Sequence, residues 1–204
     1  GNIYYQKLEY KLALDYYSQS FDGFKKLNRK NEMGGVLENI GDIYFEQGNI
    51  DTALSYFSRS LKIREAIDNK FGITSCFTSL GIAYHDKTEY NIAAEYLEKS
   101  LAIQKEIGLG GELPLWTNTY LYLTYKHFGK AYDVKQIHAL IKVAENIEFE
   151  LNYAIYQLLE DKSYLETAYN QVQEKASAME EELAQKFLSY PIPKAIVEEW
   201  EKVK

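Results

Sequence analysis

The stretch Gly41 to Ser60, GDIYFEQGNIDTALSYFSRS, belongs to a frame that recurs one period earlier and one period later in the chain. The three glycines of this frame lie 40 residues apart, at Gly1, Gly41 and Gly81. The same step separates three alanines, Ala13, Ala53 and Ala93. Self-similarity at such a period is typical of repeat arrays, in which each unit buries its apolar face only against its neighbours. The sequence therefore predicts a repeat protein that presents an extended surface.

Each unit has the pattern of a helical hairpin. A first helix is indicated by an apolar stripe that consists of Leu37, Ile40, Gly41 and Tyr44. A second helix is indicated by residues that step by four, namely Ala53, Phe57 and Leu61. The turn residues Gly48-Asn49 separate the two patterns. The small side chains at Gly41 and Ala53 would let the two helices approach closely.

The unit resembles the tetratricopeptide repeat, because it has that family's residue types in the same order at Leu37, Gly41, Tyr44, Ala53 and Phe57. Its 40-residue period exceeds the commonest family period of about 34 residues. It is similar to the long-helix branch found in kinesin light chains, cell-polarity adaptors and bacterial signalling proteins. The resemblance implies an all-α fold, a right-handed superhelix of antiparallel helical hairpins, and a binding scaffold without catalysis.

One departure from the family is the missing proline that often closes the repeat, since Glu65 and Lys105 stand at that position. We therefore expect longer second helices. The predicted helices are Tyr10–Leu27, Glu32–Gln47, Ile50–Ile67, Phe71–Lys87, Tyr90–Ile107, Trp116–Phe128, Tyr132–Ile147, Glu150–Glu160, Tyr164–Leu188 and Ala195–Val203.

We expect residues 1–204 to form a single array. A partial first repeat occupies 1–29, and full repeats occupy 30–69 and 70–109. A cluster of helix breakers at Gly108–Gly111 then adds one residue to the register, so degenerate repeats are predicted at 110–148 and 149–189. The segment 190–204 is predicted to be a capping helix, because array ends need a polar outer face.

The composition excludes several function classes. The 204 residues are 46% apolar and 26% charged, and a net charge of −7 disfavours nucleic acid, which needs a basic surface. No apolar run approaches the roughly 20 residues of a membrane-spanning helix, so we expect no membrane partner. The single cysteine, Cys76, excludes an internal disulfide, fits a reducing cytoplasm and is predicted to be a buried structural thiol.

Residue patterns that would support catalysis are absent from the sequence. The three histidines, His85, His127 and His138, show no metal-ligand spacing. Neither Gly34-Gly35 nor Gly110-Gly111 is followed by the Lys-Ser/Thr of a phosphate loop, so close packing or a turn explains these glycines better. We therefore expect no enzyme activity, no metal and no cofactor.

The resemblance also implies a binding site, because first helices line the concave groove of tetratricopeptide arrays. The corresponding groove positions are Asn2, Tyr5 and Gln6 in the first unit, Glu38, Asn39, Asp42, Phe45 and Glu46 in the second, and Ser75, Thr78, Ser79, Ile82, His85 and Asp86 in the third. Chaperone adaptors of the family bind a C-terminal carboxylate with lysine, arginine and asparagine at such positions. Here Asn2 and Asn39 match, but Ser75 and Ser79 stand where the basic residues are needed, which argues against a carboxylate clamp.

The acidic groove positions favour a different ligand. Glu38, Asp42, Glu46 and Asp86 would give the groove a negative potential, which favours a neutral or basic segment of a partner protein. The alternative interpretation is that these are ordinary solvated carboxylates.

Three roles fit such a scaffold. The first is the regulatory or sensory arm of a larger bacterial signalling protein, because Gly1 begins in the middle of a repeat and the tail resembles the ends of such arms at Phe187-Leu188, Pro191 and Ile196. The second is a peptide-pheromone regulator or aspartate-phosphatase relative whose effector part lies upstream. The third, supported by repeat length alone, is a motor-cargo adaptor. Self-association through the open first repeat is a further expectation.

Overall fold

The structure is a computed structural model that describes residues 1–6 and 9–204, with only the backbone of Gln6. The described residues form twelve α-helices and no strand. They divide into two compact units, Gly1–Leu109 and Gly110–Lys204. The prediction of an all-helical fold is confirmed. In the first unit every helix packs against the next one along the chain, as in a tetratricopeptide-like helical repeat.

The first unit contains six helices, which are α1 (Asn2–Gln6), α2 (Tyr10–Lys26), α3 (Lys30–Glu46), α4 (Ile50–Glu65), α5 (Lys70–Asp86) and α6 (Tyr90–Glu106). The most extensive contacts are those between α3 and α4 and between α5 and α6. The predicted hairpins are therefore present, with ends within about two residues of the prediction. The first helices α3 and α5 also contact each other.

Close approach inside each hairpin depends on the repeated glycine. A Cβ atom added at Gly41 would lie 2.5 Å from Phe57 Cε1, and one at Gly81 would lie 2.5 Å from Leu97 Cγ. Both ring and leucine are buried. The large apolar residue of the sequence frame therefore fills the space that a side chain at the glycine would need, and the two helices are in close contact there.

The turns between helices repeat with the same period. The turn after each first helix has a left-handed residue at Gly48 (φ 78°) and Thr88 (φ 62°), and the turn after each second helix has one at Asn28, Asp68 and Gly108. Because this backbone conformation is uncommon outside glycine, asparagine and aspartate, Thr88 is the strained member of the set. The hairpin geometry is thus kept even where the residue type is unfavourable.

The second unit also contains six helices, which are α7 (Glu112–Phe128), α8 (Val134–Val143), α9 (Phe149–Leu159), α10 (Lys162–Ser177), α11 (Glu181–Leu188) and α12 (Pro191–Val203). Its core includes Leu115 of α7 with Leu151 and Ile155 of α9. The last helix, α12, packs on α9 and α10. There the Trp200 ring stacks on Tyr169 with centroids 5.4 Å apart.

The prediction of one helix over Tyr164–Leu188 is wrong, because the chain breaks at 178–180 into α10 and α11. A straight helix would carry Phe187 about 18 Å beyond Lys175. Instead the Lys175 ammonium lies 5.2 Å from the Phe149 ring and 5.5 Å from the Phe187 ring. The break lets Phe187 return to pack edge-on against Phe149 and become buried.

Three further helices have bounds that differ from the prediction. Helix α7 starts at Glu112 and not at Trp116. Helix α8 is shorter than Tyr132–Ile147, because Ala144 adopts an extended backbone with ψ 130°. Helix α12 starts at Pro191 and not at Ala195. Proline suits the first turn of a helix, where its missing N–H would have no partner in any case. The prolines therefore begin this helix and do not merely precede it.

Candidate functional site: the first-helix face

The groove positions predicted from the sequence lie on α1, α3 and α5 of the first unit, and we refer to these fourteen positions as the first-helix face. The side chain of Gln6 lies outside the described residues. The other members differ in what they contact. The sequence predicts that the four acidic members act together. In the structure, Glu38 and Glu46 have partners within the protein, Asp42 is half-buried and Asp86 is exposed.

Glu38 is engaged inside the protein. Its Oε2 lies 3.2 Å from Nη2 of Arg64, which comes from the last turn of α4, and the two side chains are only 13% and 11% exposed. The Ser75 hydroxyl of α5 donates to Oε1 of the same carboxylate at 2.5 Å. Glu38 therefore joins α3, α4 and α5, and its charge is balanced within the fold.

Two helical glycines make room for this arginine. A Cβ at Gly34 of α3 would lie 2.7 Å from Arg64 Nε, and one at Gly72 of α5 would lie 2.5 Å from Arg64 Cδ. The guanidinium also donates to Asn31, whose Oδ1 accepts a second hydrogen bond from Asn69 at 2.7 Å. Gly34 thus serves close packing, as the sequence indicated. It packs against a charged side chain, which the sequence did not indicate.

Glu46 is engaged at the C-terminal end of α3. The hydroxyl of Tyr5 donates to its Oε1, and the hydroxyl of Tyr10 donates to its Oε2. Burial and then the charge of Glu46 raise the pKa of Tyr5, so this phenol stays protonated and remains a donor. Glu46 therefore connects α3 to α1 and α2.

Asp42 lies on α3 one turn from each of these two glutamates. It is half-buried, and no hydrogen bond or ion pair reaches it from the described part of the chain. Burial raises its pKa well above the ordinary value, and the negative charges of Glu38 and Glu46 raise it further. Asp42 is thus a half-buried carboxyl group whose charge no described residue compensates.

Asp86, in the last turn of α5, is the fourth acidic member. Its side chain is exposed, although surrounding protein raises its pKa to about 6 through partial desolvation. It too has no ion pair among the described residues. Because water reaches this side chain, a charge there is screened more strongly than one at Asp42.

The remaining members of the face are divided between packing and exposure. Asn2 accepts a hydrogen bond from the Tyr17 hydroxyl at 2.7 Å, and His85 packs edge-on against Tyr90. Thr78 is buried and lies 2.9 Å from the Ser100 hydroxyl of α6. Phe45 packs partly against the core between α4 and α5. Ile82 is buried, whereas Asn39 and Ser79 are partly exposed.

Sequence reasoning missed the groups that hold the carboxylates of Glu38 and Glu46. Arg64, Asn31 and Tyr10 did not belong to the predicted face, yet they determine which of its carboxylates are available. One signal was present, because glycine is unfavourable inside a helix unless a neighbour needs the space. Gly34 and Gly72 both meet that condition.

Among the residues that the structure describes, no group of three or more histidine, cysteine, aspartate or glutamate side chains is arranged to hold a metal ion. In the same residues, no helix combines the length and the apolar character that crossing a membrane requires.

Comparison with known proteins supports the repeat assignment. Residues 32–106, which cover most of α3 and all of α4, α5 and α6 up to its last residue, match the family model of the tetratricopeptide repeat. No curated protein matches the chain. The matched segment is the same one in which the glycine, alanine and large apolar residue recur and in which the hairpins are most regular. Over these residues the chain matches the tetratricopeptide repeat family.

Proposed function

We propose that the chain is a non-catalytic scaffold that binds a neutral or basic segment of a partner protein along the first-helix face of α1, α3 and α5. Tetratricopeptide repeats act as protein-interaction scaffolds, and this general role follows from the family. The observation that supports the finer proposal is the presence of two carboxyl groups on this face, Asp42 and Asp86, that have no ion pair within the described protein.

Charge complementarity would act mainly on the rate of association. A basic segment would be attracted to the negative potential of the face before contact, and salt would weaken this attraction. Apolar contacts would come from partly exposed side chains such as Tyr5 and Phe45. Binding should therefore slow as ionic strength rises.

The test uses the whole chain and a random dodecapeptide display library. Selected peptides are measured by surface plasmon resonance at several salt concentrations, with the wild type and with Asp42→Lys combined with Asp86→Lys. We expect selected sequences to be neutral or basic, binding to be lost in the double variant, and salt dependence to flatten.

The matched control is Glu180→Lys combined with Glu181→Lys at the start of α11, which reverses the same number of charges in the other unit. This variant should bind as the wild type does. If charge reversal at Asp42 and Asp86 left binding unchanged while the control variant lost it, the binding surface would lie on the second unit. That result would overturn the proposal.

The finer biological role that we propose is the regulatory or sensory arm of a larger bacterial signalling protein in the cytoplasm. Its support is the 40-residue repeat and the single cysteine. The full coding sequence of the natural protein tests it: a neighbouring effector domain agrees with this role, and a protein made of repeats alone contradicts it.

The absence of catalysis is tested by incubating the purified chain with nucleotides and phosphoproteins. Turnover that is lost in His85→Ala would contradict it.

A further inference from the structure

We propose that Asp42 is the anchor for one cationic side chain, a lysine or arginine of the bound segment, because it lies uncompensated between two glutamates whose charges the fold already uses. This inference rests on the proposed function and identifies the part of the partner that the face recognises. A generally acidic face would attract any basic segment, whereas this inference assigns recognition of the partner to the single position Asp42.

The two glutamates are poor anchors because a ligand would have to compete with existing partners. A cation at Glu38 would displace or share the carboxylate with Arg64 and Ser75, which hold one oxygen each at 3.2 Å and 2.5 Å. A cation at Glu46 would compete with the hydroxyls of Tyr5 and Tyr10, one on each oxygen. In both cases binding would give up contacts that join neighbouring helices.

Asp42 has no such contacts with the described residues to lose. No described residue donates a hydrogen bond to it, although its surroundings are crowded enough to disfavour its charge. A carboxyl group in such a place reduces the stability of the unbound protein, and a side chain of this kind is more common at functional sites than elsewhere. An incoming ammonium or guanidinium group would supply the missing partner.

The repeat frame makes this anchor unique within the face. The position that corresponds to Asp42 in the next repeat is Ile82, which is buried and apolar. The other uncompensated carboxyl, Asp86, is exposed to water, where an ion pair contributes little. A partly enclosed pair at Asp42 is screened less, and Glu46, whose partners are uncharged tyrosine hydroxyls, adds its negative field. The partner therefore needs one cation at a fixed place and not a run of basic residues.

The probes for the test are three pools of synthetic dodecapeptides that differ only at the sixth position. That position is lysine, norleucine or glutamate, and the other positions are equal mixtures of uncharged residues other than cysteine. Norleucine keeps the aliphatic length of lysine and lacks its charge. Each pool is measured for retention on the immobilised full chain, in the wild type, Asp42→Asn and Asp86→Asn. Thermal melting checks that the variants fold.

We expect the wild type to retain the lysine pool on the order of tenfold more than the norleucine pool, as a desolvated charge pair allows, and to reject the glutamate pool. Asp42→Asn should abolish this preference, and Asp86→Asn should leave most of it. A lysine preference that survives Asp42→Asn overturns this inference and leaves the scaffold proposal standing. Uniform retention of all pools overturns this inference and also the preference of the scaffold for a neutral or basic segment. Failure of the wild type to retain any pool contradicts both.

Discussion

Arg64 Nη2 lies 3.2 Å from Glu38 Oε2, and little of either side chain reaches solvent. This pair crosses from the last turn of a second helix to the middle of its partner first helix, and Ser75 extends it to the next repeat. Inside this hairpin, the small residue Gly41 packs closely against the apolar ring of Phe57. Here a charged contact is added, and it fixes three consecutive helices at one point.

Arg64→Met should destabilise the protein by about 3 kcal/mol, because removing one partner leaves the enclosed Glu38 carboxylate uncompensated. Chemical unfolding followed by circular dichroism measures this change. Lys62→Met, on the exposed side of the same helix, is the control and should stay within about 0.5 kcal/mol of the wild type. Equal stability of the two variants would show that the pair contributes nothing.

The hairpins of the first unit could be predicted because their signal is periodic. Gly41 and Phe57 recur as Gly81 and Leu97, and the same steric relation follows in the structure. The arginine contact could not be found in this way. The residues at the position of Arg64 in the neighbouring repeats are Phe24 and Gln104, so comparison of copies gives no indication of a charged contact.

The break in the second unit escaped prediction for a different reason. No glycine or proline lies between Tyr164 and Leu188, and the apolar stripe of Ala168, Val172 and Ala176 continues in helical register to Met179. The local sequence is therefore compatible with a continuous helix. Burial of Phe187 against Phe149 opposes it, and that contact joins residues 38 positions apart, which a local pattern does not reveal.

Gly41→Ala should lower stability by roughly 1–3 kcal/mol, because the new methyl group would lie 2.5 Å from Phe57 in a closely packed hairpin. Gly23→Ala is the matched control. Gly23 is also helical, in α2, but nothing lies within 4 Å of its Cβ position. There alanine should raise stability by about 0.5–1 kcal/mol through its better helix propensity. Differential scanning calorimetry of both variants should show melting temperatures that move in opposite directions.

Cys76 should react with thiol reagents only as fast as the protein unfolds. The thiol is buried and donates to the Ser60 hydroxyl at 3.3 Å, and burial raises its pKa to about 12. Very little thiolate, the reactive form, is therefore present at pH 8. Ellman's reagent measures the rate with and without denaturant. The control is Ser55→Cys, which adds an exposed thiol on α4. In the native state of this variant, one thiol should react quickly with the reagent. If Cys76 in the native wild type reacted at the same rate, the thiol would not be buried.

Asp42→Asn should stabilise the unbound protein by an amount that grows with pH. Burial and the two neighbouring glutamates raise the pKa of Asp42 above its ordinary value of 3.8. At pH values between 3.8 and the raised pKa, the folded state keeps a proton on Asp42 that the unfolded state releases. The stability of the wild type therefore falls as pH rises through this range. Asparagine, which resembles the protonated acid, avoids this loss.

Urea unfolding at pH 3.5, 5, 6 and 7.5 should therefore show the stabilities of the wild type and Asp42→Asn closest at pH 3.5 and farthest apart at pH 7.5. Asp22→Asn, on the exposed side of α2, should differ from the wild type by no more than about 0.5 kcal/mol throughout. A constant difference for Asp42→Asn, or a wild type more stable than the variant at pH 7.5, would show that the fold does compensate this charge and would remove the reason for an anchor there.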